Sequence, residues 1–178
     1  MSKAGARPVK AYKDILPQEI PDDRAYAEIF DKVAPYTMTA REGLETTYAL
    51  FQAVKYICQN NISGDIVECG VWRGGSMILV AYALDYFNDR TRDLYLYDTF
   101  AGMTEPCEID IDLDNVAYQQ RWKDVTQQGG MMGFGDTVDG VKANLRLTGY
   151  PEQQMHFVVG DVLQTIPEIG RASCRERV

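Results

Sequence analysis

One histidine, His156, serves the whole chain of 178 residues. A Ser/His/Asp or Cys/His catalytic arrangement needs a histidine beside its nucleophile, and a zinc site needs several clustered ligands, so composition argues against both. The four cysteines, Cys58, Cys69, Cys107 and Cys174, form no CxxC pair. They read as reduced thiols, with Cys58 and Cys69 expected in the core because their surroundings are apolar. No apolar run approaches the ~20 residues that a membrane helix requires. The basic stretch 1–13 has no apolar segment behind it and is not a secretory signal. Basic side chains are outnumbered, 18 Lys and Arg against 26 Asp and Glu, for a formal net charge of −8. That balance excludes the basic face of a nucleic-acid binder and gives nothing for an anionic membrane surface to attract. A cytoplasmic protein with neither nucleic acid nor membrane as partner is expected.

Residues 1–24 are polar and contain Pro8, Pro17 and Pro21. They read as a mobile arm, which a short helix over 22–33 extends to about residue 34 before Pro35 stops it. Thr39 and Glu42 have the spacing of a capping box. Behind them Leu44, Tyr48, Phe51, Val54 and Cys58 recur at spacings of three and four, one buried helical face that Asn60, Asn61 and Gly64 end. A short strand over 65–70, a glycine-rich turn and an apolar helix over 76–87 follow. A second strand covers 94–97. The acidic, then glycine-rich stretch 99–135 is long for a connection and reads as a lid or binding loop, helical in part around 116–125. Its run of Glu108, Asp110, Asp112 and Asp114 lacks the glycine and closing Glu of a calcium loop, so it reads as a solvated face. A helix over 136–147 and a third strand over 155–160 complete the pattern. Short apolar strands alternating with helices specify an α/β fold with a parallel sheet and right-handed crossovers. The last residues, 168–178, keep no helical or strand period. From Ile169 onward they resemble the in-frame translation of a sequencing-library adapter, so 168–178 is read as a non-native tail. Removing 171–178 takes away three arginines and one glutamate, which deepens the acidic bias.

Three acidic residues fall at strand ends: Glu68, Asp98 and Asp161. In an open α/β sheet, ligands bind outside the carboxyl ends of the strands. The turn after the first strand reads Glu68-Cys69-Gly70-Val71-Trp72-Arg73-Gly74-Gly75-Ser76. It is GxxxGG rather than the GxGxxG of a dinucleotide fingerprint, with a carboxylate two places ahead. A carboxylate there repels a pyrophosphate and suits a cation such as the methionine end of S-adenosylmethionine. Taken alone, the loop reads first as a tight strand–helix turn. Asp98 stands where a nucleoside-binding sheet keeps the acid that accepts from ribose hydroxyls; the alternative is a helix or loop cap. Asp161 either touches an adenine or caps the next helix.

The runs Tyr36-Thr37-Met38-Thr39, Val67-Glu68-Cys69-Gly70-Val71-Trp72-Arg73-Gly74-Gly75-Ser76, Leu94-Tyr95-Leu96-Tyr97-Asp98-Thr99-Phe100-Ala101-Gly102-Met103 and Val159-Gly160-Asp161-Val162 resemble the macrocin O-methyltransferase (TylF-type) family over residues 36–167. The resemblance implies a class I, Rossmann-like methyltransferase of which three of seven strands are present, with 35–167 forming the S-adenosylmethionine-binding part. It implies S-adenosylmethionine as methyl donor, a hydroxyl of a small molecule, a sugar of a glycosylated natural product, as acceptor, and Mg2+ in the intact parent. Glu68, Gly70, Trp72, Gly74, Gly75 and Ser76 match its first cofactor motif. Asp98, Thr99, Phe100 and Gly102 match its ribose motif, Asp161 its adenine-side position, and Met38 and Thr39 the segment that closes over the cofactor. The family's metal-binding and catalytic aspartates belong to strands beyond residue 167, so no catalytic or metal residue is assigned here and the 178-residue chain is expected to be inactive. A homo-oligomer is compatible with the resemblance. Two other classes remain at this stage: an NAD-binding Rossmann oxidoreductase, against which the missing GxGxxG and Glu68 count, and a non-catalytic nucleoside-binding module.

Overall fold

The structure, a computed structural model, describes residues 23–37, 44–111, 115–127 and 135–166. The capping-box pair Thr39 and Glu42, the predicted closing residues Met38 and Thr39, part of the acidic run, and the 168–178 tail lie outside them.

Helix α1 (Arg24–Val33) is capped by Asp23, whose carboxylate accepts from the Tyr26 amide at 3.1 Å. Pro35 lies within the single 3-10 turn Ala34–Tyr36 that follows. The helix is no appendage. Tyr26, Ile29, Phe30 and Val33 are buried, and Tyr26 packs edge-on against Tyr48 with ring centroids 5.0 Å apart. The Tyr26 hydroxyl meets Thr47 Oγ1 at 2.6 Å, so this buried ring also satisfies its polar tip. Helix α2 (Glu45–Gln59) carries the predicted face, with Leu44, Phe51 and Val54 buried. It begins later than a Thr39 cap would place it, and no side chain caps it.

Strand β1 (Ile66–Cys69) leads through the glycine loop into α3 (Gly75–Tyr86). This helix has no polar stripe. Met77 through Ala81, Ala83 and Leu84 are all buried, as expected of a helix covered around most of its circumference, with Asp85 and Tyr86 of its last turn reaching the surface. It packs against α1 and α2. Strand β2 (Leu94–Asp98) is followed by the long connection, which contains an isolated antiparallel bridge between Ile111 and Ala117 and helix α4 (Tyr118–Gln127). Helix α5 (Val138–Arg146), capped by Thr137, buries Val141 and Leu145. Strand β3 (Met155–Val159) and a four-residue helix α6 (Val162–Thr165), the helix expected after Asp161, close the described chain.

The sheet is parallel, in the order β1-β2-β3. Two successive right-handed crossovers that step the same way must put α3 and α5 on one face, and these helices touch. The row Ile66, Leu94 and Met155 and the row Glu68, Leu96 and Phe157 face them. Leu94 and Leu96 are fully buried there, each worth roughly 1.5–3 kcal/mol relative to exposure. On the other face run Val67, Tyr95 and His156, then Cys69, Tyr97 and Val158. Val67 is 42% exposed and Cys69 is exposed, although Tyr97 is buried. Cys69 therefore departs from the expected core position. Its segment is apolar, but its register turns it to the face that α3 and α5 leave uncovered. Cys58 is half-buried. Among the described residues, no helix is long and apolar enough to cross a membrane.

Candidate cofactor site

The three strand ends line up through ladder bonds that outlast the strands. The Gly70 amide donates to the Tyr97 carbonyl at 2.8 Å, and the Gly160 amide to the Asp98 carbonyl at 3.0 Å. This brings the predicted residues of all three loops to one end of the sheet.

Asp98 joins two of those loops. Its Oδ2 accepts from the Val71 amide at 2.6 Å and the Trp72 amide at 3.3 Å, while Oδ1 accepts from the Phe100 amide at 2.9 Å. Trp72 and Phe100 both have a φ of 51°, left-handed backbone that bulky residues rarely adopt. One carboxylate thus holds two strained aromatic positions, each costing on the order of 1–3 kcal/mol. Thr99 Oγ1 donates to the Gly102 carbonyl at 3.1 Å and pins the second loop. The Trp72 ring is half-buried, with the Arg73 guanidinium 5.2 Å from its centroid.

The glycines differ in what surrounds them. Gly70 has φ +86°, and a Cβ there would meet nothing within 4 Å. At Gly75 a Cβ would come within 2.5 Å of the Tyr36 carbonyl oxygen and 2.6 Å of Thr37 Cβ. Gly70 leaves room for something outside the protein, whereas Gly75 admits the backbone of the segment after α1. Gly74 is the N-cap position of α3, followed by Gly75 and Ser76 in its first turn.

Glu68 is the unusual member. It lies on the helix-covered side, accepts a hydrogen bond from the Ser76 side chain, and leaves Oε2 buried with no partner. Loss of hydration pushes its carboxyl up to about 7; the Ser76 hydrogen bond opposes the shift and the nearby Asp98 charge adds to it. Asp161 is exposed and caps α6 by accepting from the Leu163 amide at 2.8 Å, which is one of its two expected roles.

Other chemistry lies elsewhere. His156 stacks on Tyr95 at 4.6 Å, toward the opposite end of the strands. Its Nε2 is 3.1 Å from Asp93 Oδ1 but lacks the alignment of a hydrogen bond. Asp110, in the acidic run, accepts from the Cys107 amide at 2.7 Å and serves a turn. Among the described residues, no group of three His, Cys, Asp or Glu side chains could hold a metal ion. A cavity of about 220 Å³ between α5 and β3 is lined by Lys142, Arg146, Glu152, Met155 and Phe157, none of them a predicted site residue. Sequence reasoning missed Val71, whose amide donates the shortest of the bonds that Asp98 accepts, and Tyr36 and Thr37 as the wall against Gly75. The paired glycines were the available signal for that wall.

The sequence profile of the TylF macrocin-O-methyltransferase family matches residues 11–173. The 8-demethyl-8-(2,3-dimethoxy-alpha-L-rhamnosyl)-tetracenomycin-C 4'-O-methyltransferase of Streptomyces olivaceus is 29% identical over 125 residues, 70% of this chain and 45% of its own length. Demethyldecarbamoylnovobiocin O-methyltransferase of Streptomyces niveus is 27% identical over the same shares of the two chains. The solved structure of the O-methyltransferase NovP superposes with a TM-score of 0.58 at 27% identity, covering 75% of this chain and 51% of that one. The chain thus spans about half the length of the curated relatives it matches.

Proposed function

The chain belongs to the macrocin O-methyltransferase family, and from that premise we propose that its protein transfers a methyl group from S-adenosylmethionine to a hydroxyl of a glycosylated small molecule. The acceptor class rests on the relatives, named for O-methylation of a rhamnosyl-tetracenomycin, a novobiocin precursor and mycinamicin III. The observation that carries the cofactor is the unpartnered Oε2 of Glu68 beside the open backbone of Gly70.

When bound, S-adenosylmethionine supplies an electrophilic methyl on a positively charged sulfur. The residues described here bind and orient it. Gly70 allows the loop backbone to come close, and Glu68 offers an acceptor to a cation. Asp98 holds the loops after β1 and β2 in register, with Thr99, Phe100 and Gly102 shaping the ribose side. Met38 and Thr39 are assigned the closing role and Asp161 the adenine edge, alongside its capping bond. Orientation of this kind removes much of the entropic barrier to bringing two reactants together. A sugar hydroxyl also has to lose its proton. The acids at the strand ends are occupied with loops or donor, and His156 is remote, so that step belongs to none of the described residues. Among the described residues no group of side chains could hold the Mg2+ that the resemblance implies for the intact parent, and they support no step through it.

Isothermal calorimetry of the 178-residue chain with S-adenosylmethionine, S-adenosylhomocysteine and NAD+ tests the reading. Weak binding of the first two and none of NAD+ is expected. Binding of NAD+ alone would overturn it.

A further inference from the structure

Two carboxylates stand at the ends of adjacent strands, and the fold treats them differently. Asp98 is saturated: amides of Val71, Trp72 and Phe100 take both of its oxygens. Glu68 holds one hydrogen bond, from Ser76, and a buried oxygen with nothing against it. No salt bridge reaches it among the described residues. The charged groups nearby do not help: Asp98, on β2, repels it, Arg73 lies over Trp72, and Lys142 of α5 lies over Phe157. Ser76, from α3, brings a neutral hydroxyl. A carboxylate taken out of water without a cation or full hydrogen bonding is costly, and the group keeps its proton instead.

Accepting the cofactor reading above, we propose that Glu68 makes donor binding proton-coupled: its carboxyl releases a proton to solvent as a cationic group of the donor settles against Oε2. The balance is simple. The carboxylic acid becomes a carboxylate and one proton leaves for each donor bound, so the buried negative charge exists only while its counter-charge is present. The donor carries two cations, the sulfonium and the α-ammonium, while S-adenosylhomocysteine keeps only the second. Glu68 thus reads charge, and Asp98 positions the loops that surround it.

The sign follows from linkage. Below about 7, where the empty site holds the proton, donor affinity rises with pH by up to about tenfold per unit, and the dependence levels off above it. The measurement is calorimetry between pH 5.5 and 7.5, in buffers of different ionisation heat, on wild type and Glu68→Gln. Wild type is expected to release close to one proton at pH 6, with an affinity that climbs with pH. The variant is expected to release none and to bind weakly and evenly across the range. Release with S-adenosylmethionine alone places the sulfonium at Oε2; release with both compounds places the ammonium there, and either supports the proposal. Donor binding by wild type with no proton released at pH 6, or equal release from Glu68→Gln, overturns it while leaving the cofactor reading intact. Absence of binding to either compound at every pH overturns the cofactor reading and this inference with it.

Discussion

At the amino ends of the strands the Arg92 side chain donates to Asp89 at 2.7 Å, to the Gly64 carbonyl at 2.6 Å and to the Ile62 carbonyl at 2.7 Å. Its own carbonyl accepts from the buried Tyr150 hydroxyl at 2.7 Å, and Asp65 accepts from the Asp93 amide at 3.0 Å. This one residue fastens the chain entering β1, the chain entering β2 and the turn before β3. At the carboxyl ends a buried carboxylate lacks a partner, and two aromatic residues sit in left-handed backbone. Apart from His156 Nε2, the buried polar groups around Arg92 are satisfied, whereas at the carboxyl ends they are left strained or waiting. Such local violations concentrate where a protein meets a ligand, and the well-made end supplies the stability that tolerates them.

The largest effect should come from breaking the satisfied end. Arg92→Ala leaves Asp89 and two carbonyls without their donor in a buried place, and about 3–5 kcal/mol of stability should go. Arg92→Lys should recover only part of it, since an ammonium cannot span the same three acceptors in a plane. Urea denaturation of the three proteins measures this, and a midpoint for Arg92→Ala within error of wild type would remove the clamp from the account. Burial works to raise the Asp89 carboxyl, but the Arg92 and Thr91 hydrogen bonds outweigh it and hold it below the ordinary carboxylate value. A depressed carboxyl contributes stability above its unfolded value that is lost on acidification, so this end weakens in acid.

The carboxyl end should respond to pH in the opposite sense. Glu68 rises from 4.5 in the unfolded chain to about 7 in the fold. Below 4.5 both states hold the proton and the burial costs nothing. Between those values the unfolded chain ionises first, and the fold loses stability as pH increases; above 7 the loss is constant. Glu68→Gln should therefore be more stable than wild type at pH 8, by on the order of 3 kcal/mol, with the two converging toward pH 4. Thermal melts across that range would show it. A variant less stable than wild type at pH 8 would mean that the carboxylate has a partner after all.

Asp98 and Asp161 sharpen the contrast within the site. Asp98→Ala removes the acceptor for three amides and frees both loops, for roughly 2–3 kcal/mol. Asp161→Ala removes one exposed cap of a four-residue helix, for about 1 kcal/mol or less. Binding of S-adenosylhomocysteine should fall in the same order. Equal losses in both would show that Asp98 does not tie the loops together.

The three strands, their order of appearance and the buried faces of α2, α3 and α5 were legible because hydrophobic spacing is local. Leu44, Phe51 and Val54 repeat with a helical period whatever packs on them. The exposed Cys69 was not legible, because its fate depends on which sheet face the crossovers cover, a property of connections and not of its neighbours in sequence. Arg92 lies in the short connection between α3 and β2; its role exists only once Ile62 and Gly64 are brought beside it. At the site, the glycine pattern and the acids at strand ends marked the right end of the sheet. Which acid would be filled by backbone amides and which left open was invisible, since both are carboxylates at a strand terminus.

The sharpest effect on the comparison, at a modest cost to the fold, should come from Gly70→Ala. A Cβ at this position meets no atom within 4 Å, so the only structural cost is holding alanine at φ +86°, about 1–2 kcal/mol. Gly75→Ala shares none of that freedom, because its Cβ presses on the Tyr36 backbone and the chain must move. The two glycines should therefore separate packing from recognition. Gly70→Ala should melt close to wild type and bind S-adenosylhomocysteine at least about tenfold more weakly, a loss of some 1.4 kcal/mol, because the methyl stands where the ligand approaches. Gly75→Ala should lose much more stability, with any loss of binding following from that. Melting and calorimetry on both variants make the test. If Gly70→Ala binds as wild type does, the space beside Gly70 is not where the cofactor lies, and the loop is a tight turn between β1 and α3.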